Sequence, residues 1–313
     1  MKASGRYCRI RHLGQILLVW GTLGVAMVLP GACQEDLMLE TADFPENETA
    51  FLDFPNLQIH QSMDFAGDKV VFVTPVGDKL TCDIYDVLTK KHAVTLMLPC
   101  EGYALPHANA IGFGVSAYSG TSVFPALYVS AWNNQRQAFV YDISFKNGVY
   151  TSDLIQVIDP SRVSESIIGA GYLDWAVDGE GGFLYSIAYK IKGSSRLLEG
   201  NGVQVARFRL PSLQDRTVVL EDADVTEYFS LPVIPVFQDN CFFDGHVYVA
   251  AGTPDENNLY PSCLYDIDLS KKQLHSFSIP MEGEPEGLGV YRGRKWLNMY
   301  GSSRIYNLNK LFD

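Results

Sequence analysis

Gln238-Asp-Asn-Cys-Phe-Phe-Asp-Gly245 leads into His246-Val-Tyr-Val-Ala-Ala251. After a polar loop the chain continues as Cys263-Leu-Tyr-Asp-Ile-Asp-Leu269, a Ser270-Lys-Lys272 turn and Leu274-His-Ser-Phe-Ser-Ile-Pro280. Each run has strand length, is rich in β-branched or aromatic residues, and is bounded by Gly, Asp, Asn or Lys. The stretch reads as a four-stranded antiparallel unit. Four other segments are variants of it. Their first runs are Gln61-Ser-Met-Asp-Phe-Ala-Gly67, His107-Ala-Asn-Ala-Ile-Gly-Phe-Gly114, Leu173-Asp-Trp-Ala-Val-Asp-Gly179 and Glu286-Gly-Leu-Gly-Val-Tyr291.

The third runs agree more closely: Asp83-Ile-Tyr-Asp-Val87, Phe139-Val-Tyr-Asp-Ile143, Ala206-Arg-Phe-Arg-Leu210, Cys263-Leu-Tyr-Asp-Ile267 and Arg304-Ile-Tyr-Asn-Leu308. The polar residue in each stands where a strand enters a turn, which assigns it to turn chemistry. Fourth runs are expected at Ala93–Pro99, Asp153–Ile158, Thr217–Leu220 and Leu274–Pro280. The fifth copy has none, but Ala50-Phe-Leu-Asp-Phe-Pro55 stands unclaimed ahead of the first copy. The expected fold is an all-β, five-bladed β-propeller over residues 49–313, four strands per blade, with the N-terminal strand completing the last blade. Closure of that kind removes free sheet edges. A six-bladed ring is the alternative.

Lys2, Arg6, Arg9 and Arg11 precede an apolar run, Gln15–Leu29, too short to span a membrane. This pattern, ending at Gly31-Ala32-Cys33, resembles a bacterial lipoprotein signal over residues 1–32, with Cys33 as the lipidated residue. Gln34-Glu35-Asp36 resembles the surface-export signal of Bacteroidetes lipoproteins. The resemblance implies an outer-membrane, surface-exposed protein held by its lipid, with 33–48 as an acidic tether. The net charge of −12 argues against a nucleic-acid partner.

Pro106–Gly114, Leu127-Tyr-Val-Ser130, Tyr141-Asp-Ile143 and Glu284-Pro-Glu-Gly-Leu288 together resemble a group of Bacteroidetes propeller lipoproteins within the TolB-like and gluconolactonase-like superfamily. That resemblance specifies architecture and implies no catalytic residues.

In a propeller the starts of the inner strands surround one mouth of the central channel. One aligned column there holds Ser62, Asn109, Asp174, Asn240 and Gly287; the preceding ones hold Gln61, Ala108, Leu173, Asp239 and Glu286, then His60, His107, Tyr172, Gln238 and Pro285. Polar groups converging among apolar ones suit a small ligand, with His107, Asn109, Asp174, Gln238, Asn240 and Glu286 as candidate contacts. Alternatively these residues only satisfy backbone groups. Asn109, Asp174, Asn240 and Glu286 would offer oxygen ligands to calcium, similar to the cage of gluconolactonase-type propellers, which have six blades. As an enzyme the chain would be a calcium-dependent lactonase or a glycoside hydrolase, with Asp174, Glu286 and His107 as candidate catalytic groups and Asp239 and Glu284 as further acids. Binding or interaction, with a small molecule, glycan or protein, is the preferred class.

Trp132, beside Asn133 and Asn134, could contact a carbohydrate or peptide, but packing against the next blade is the preferred reading. The loops Ser116–Pro125, Lys190–Val203 and Gly252–Ser262 are expected to carry specificity. Cys82 and Cys100 suit a disulfide in an exported protein, whereas Cys241 and Cys263 read as small buried residues.

Overall fold

A computed structural model describes residues 51–54, 57, 61–131, 136–192, 200–253 and 259–309. The leader, Cys33, the tether, His60 and Trp132 lie outside the described residues.

The first strand, β1 (Phe51–Asp53), belongs to the last blade. The first blade follows as β2 (Ser62–Ala66), β3 (Lys69–Val76), β4 (Lys79–Asp86) and β5 (Lys91–Leu98). The second is β6 (Ile111–Phe113), β7 (Leu127–Ser130), β8 (Ala138–Lys146) and β9 (Val149–Arg162). The third contains β10 (Leu173–Asp178), β11 (Phe183–Tyr189) and β12 (Val203–Arg209). The chain then makes β13 (Thr217–Glu221) and β14 (Val225–Leu231). The fourth blade is β15 (Phe237–Phe243), β16 (His246–Ala251), β17 (Cys263–Asp268) and β18 (Gln273–Ser278). The fifth is β19 (Pro285–Tyr291), β20 (Arg294–Met299) and β21 (Arg304–Asn307). Apart from β13, neighbouring strands within each blade are antiparallel, and the five sheets form a five-bladed β-propeller.

The N-terminal strand closes the ring. Phe51 pairs with Tyr306, Leu52 with Ile305 and Asp53 with Arg304. Beyond it, the Phe54 N–H donates to Ser303 O at 3.0 Å.

Second strands carry apolar residues on both faces because both faces are covered. β7 is buried throughout, and β16 is buried from Val247 to Ala251. The hydrophobic core is accordingly divided into five clusters, each between two neighbouring blades. Blades five and one approach especially closely at Gly287, where a Cβ would stand 2.8 Å from the Met63 Cβ. Any larger residue there forces those inner strands apart.

One expectation fails. Thr217–Leu220 is not the fourth strand of the third blade: β13 lies parallel to β9, on the outer edge of the second blade, and β14 pairs with β12 instead. β9 runs on to Arg162, long enough to offer a free edge that Thr217, Val218 and Val219 occupy. The third blade thus lends a strand to its neighbour before completing itself.

The polar residue of the third strands divides by position. Asp86 accepts the Thr89 N–H at 2.7 Å and Asn307 accepts the Asn309 N–H at 3.1 Å, both turn bonds. Asp142 instead takes the Ser144 hydroxyl, and Asp266 takes His246 Nδ1 at 2.6 Å. Cys82, Cys100, Cys241 and Cys263 are free thiols. Cys82, Cys241 and Cys263 are buried as small apolar residues.

Candidate functional site

An innermost strand has a partner on one side only, so its axis-facing N–H and C=O groups need other partners. Carboxyl groups supply them. Asp64 accepts the N–H of Phe65 at 2.8 Å and of Phe113 at 3.3 Å, and also bonds the Val290 N–H. It therefore joins blade one to blades two and five. Asp239, on blade four, accepts the N–H of Met63 at 3.1 Å and of Leu288 at 2.7 Å with one oxygen, and of Asn240 at 2.7 Å with the other. The Met63 bond crosses the ring, since blades one and four are not neighbours. So does the bond from Asn109 Nδ2 to Phe237 O, at 3.2 Å, between blades two and four. The axis is thus bridged by hydrogen bonds rather than left as an open tube.

Nearer the starts of the strands, Asn109 Nδ2 also donates to Asp174 Oδ2 at 2.6 Å. Gln61 Nε2 donates to Glu286 Oε2 at 2.6 Å, and Gln238 Nε2 donates to Gly252 O and to Glu284. Gln238 and Glu286 owe their positions to β-bulges. Phe237 pairs with Ala251 and Asp239 with Ala250; Pro285 pairs with Met299 and Gly287 with Asn298. Gln238 and Glu286 are therefore the extra residues, and a bulge re-aims such a side chain.

The hairpin registers correct the aligned column. Counted back from the hairpins, Asp239 rather than Asn240 stands level with Ser62, Asp174 and Gly287. Asp239, read from sequence only as a spare acid, is an axial anchor. Asp64 was missed altogether. Its signal was a charged residue inside an otherwise apolar inner strand, Met63-Asp-Phe65.

The proposed oxygen ligands fall into two groups. Asn109 and Asp174 touch, whereas Glu286 is engaged by Gln61. Asn240 has both side-chain polar atoms buried without a partner, and so do Asn109 Oδ1 and Asp174 Oδ1. Ser62, Asn109, Asp174, Asp239 and Asn240 are all at most 1% exposed. Among the described residues no group of three or more His, Cys, Asp or Glu side chains is disposed around a metal position. The His107 N–H donates to Ala131 O at 3.2 Å, and burial lowers the pKa of its imidazole, favouring the neutral form.

Burial governs the charge of the axial acids. It pushes Asp64 up to about 7 against the pull of its three N–H donors, Asp174 up to about 8 against Asn109, and Glu286 up to about 9 with help from the charge of Glu284. Asp239 is raised well above the carboxylate range, again by burial. These groups are protonated in both folded and unfolded chains at low pH. Above the unfolded pKa only the folded chain keeps the protons, so their stabilisation is lost as pH rises through the folded values. Asp86, held low chiefly by Lys69, and Asp268, held low chiefly by Ser270, act in the opposite sense, but only in strong acid. Thermal melting should therefore show Tm rising as pH is lowered from about 9 to about 5. A Tm flat or falling over that range contradicts these assignments.

The fold and axis define the class as a five-bladed β-propeller with a buried polar centre. No protein-family model matches the chain, and no curated protein sequence does. Solved β-propeller structures are similar to it. Glutaminyl cyclase of Myxococcus xanthus aligns at 10% identity over 82% of this chain and 92% of its own, with a TM-score of 0.47. A luciferin-regenerating enzyme aligns at 12% identity over 82% and 75%, with a TM-score of 0.40. Hydrazine synthase of Kuenenia stuttgartiensis aligns at 12% identity over 78% and 74%, with a TM-score of 0.41.

Proposed function

We propose that the protein is a cell-envelope lipoprotein of the binding or interaction type, with a small ligand or cation at the end of the axis where the inner strands begin. One observation carries the reading. Asn109 Oδ1, Asp174 Oδ1 and both polar atoms of Asn240 are buried and unpartnered on the inner segments of blades two, three and four. A buried polar atom without a partner costs roughly 1–3 kcal/mol. Several of them on the inner segments of three blades support the presence of something that bonds to them.

Oxygen donors from one carboxyl and two carboxamides suit a hard cation such as calcium. Asp174 and Asn109 would hold it, with Asn240 as a further oxygen; Glu286 is already engaged elsewhere. Asp174 would have to ionise, so entry of the cation would release a proton and tighten with rising pH. The hydrolase alternative has weaker support. A glycosidase needs one acid neutral and its partner ionised, but burial drives Asp174 and Glu286 in the same direction.

The test is calorimetric titration of the chelator-treated full chain with calcium at pH 6 and pH 8, beside a thermal-shift panel of small polar compounds. The expected result is binding that is tighter at pH 8 and lost in Asp174→Asn. No stabilising cation or compound, or one that binds Asp174→Asn equally well, would refute the reading.

A further inference from the structure

The one departure from the repeat also builds a cleft. In blades one, two and four a tight turn joins the third strand to the fourth, and in blade five β1 supplies the fourth strand. In blade three the chain instead leaves β12 and crosses to the edge of blade two through Leu210–Arg216. A cleft of about 680 Å³ lies between that crossing and the loop after β6, and a second of about 640 Å³ adjoins it, sharing Tyr118, Leu213 and Gln214. Both lie on the side of blade two served by the loop after β6. The first also reaches Gly182 in the β10–β11 hairpin, the end opposite the starts of the inner strands.

The crossing is held in place. Gln156 is fully buried, and its Nε2 donates to Ser212 O at 2.7 Å and to Asp215 O at 2.9 Å. A preformed wall lowers the ordering cost of binding. The first cleft is lined by Ser116, Tyr118, Tyr128, Ser212 and Gln214 among apolar neighbours, without a single Asp, Glu, Lys, Arg or His. Burial raises the Tyr128 hydroxyl to about 12, so it too stays neutral. On a chain of net charge −12, an uncharged lining of rings, hydroxyls and an amide is distinctive. Tyrosine offers an apolar face and a polar tip, and amides and hydroxyls donate and accept. That combination matches a ligand with apolar ring faces and many hydroxyls. The adjoining cleft gives such a ligand length, with Glu101, Asp153 and Arg216 available to its hydroxyls.

We propose that this double cleft beside the blade-two and blade-three junction binds a linear, uncharged oligosaccharide, independently of the axial site. The full chain is titrated calorimetrically with neutral tri- and tetrasaccharides of the gluco-, xylo-, manno- and chito- series, with acidic oligosaccharides and a charged peptide alongside. At least one neutral series should bind. Tyr118→Ala should weaken it on the order of ten-fold, as loss of an aromatic anchor does, and Gln214→Ala should weaken it too. Tyr118 is 50% exposed, so its removal spares the fold, which melting curves check. Asp174→Asn should leave saccharide binding unchanged, separating this result from failure of the axial reading. Absence of any neutral binder, preference for the charged compounds, survival of binding in both cleft variants, or its loss in Asp174→Asn would overturn the proposal.

Discussion

Asp239→Ala should destabilise the fold by about 3–5 kcal/mol at pH 5. The substitution orphans the N–H groups of Met63, Leu288 and Asn240, all of them buried. Those groups come from blades one, five and four, so three inner strands lose a shared acceptor at once. A competing effect has the other sign, because the carboxyl is itself costly to bury once ionised. At pH 5 that cost is absent, since burial keeps Asp239 protonated. At high pH the two effects oppose, and the penalty of the alanine shrinks. Asp239→Asn keeps one accepting oxygen and should cost less than alanine at both ends of the range. Urea denaturation of the three proteins at pH 5 and pH 9 measures this. A loss below about 1 kcal/mol for the alanine variant at pH 5 would show that the axis does not depend on this carboxyl.

Phe54→Ala should cost about 3–5 kcal/mol. β1 is only three residues long, so its ladder alone is a weak latch. Phe54 follows it, fully buried between blades five and one, with its ring edge-on to Tyr85 at 5.6 Å. This one side chain anchors the segment that closes the ring, and its loss leaves a cavity in the seam and frees the edge of β21. Exposed edges invite pairing with other chains, so the variant should also aggregate on mild heating. Urea titration and light scattering report the two effects. A Phe54→Ala protein as stable and monomeric as its parent would mean that the ring holds without its closing strand.

The blades were legible because their signals are local. Tyr265-Asp266-Ile267 and its four relatives repeat within single strands, and Val247–Ala251 shows two-sided burial directly in its composition. Closure was legible because Phe51–Asp53 was the one strand without a hairpin partner. The fate of Thr217–Leu220 was not. Its residues suit any outer strand, and only the length of β9 and the presence of Val225–Leu231 as a competing partner decide which blade receives it. The polar character of the inner-strand starts was legible in the sequence, but not which residues bridge the axis. Gly245 is the second residue of its hairpin turn, whereas Gly67 and Gly179 are the first of theirs, so alignment on the glycine put Asn240 where Asp239 stands. Asp64 escaped because its role depends on the N–H groups of Phe113 and Val290, which are distant in the chain.

The most direct measurement is a high-resolution crystal structure of the full chain, grown at pH 8 in calcium without chelator. Ordered density, an ion or a small polar molecule, is expected within bonding distance of Asp174 Oδ1 and Asn109 Oδ1, with Asn240 turned toward it. The same atoms paired with one another or with neighbouring backbone, and no density between them, would contradict it.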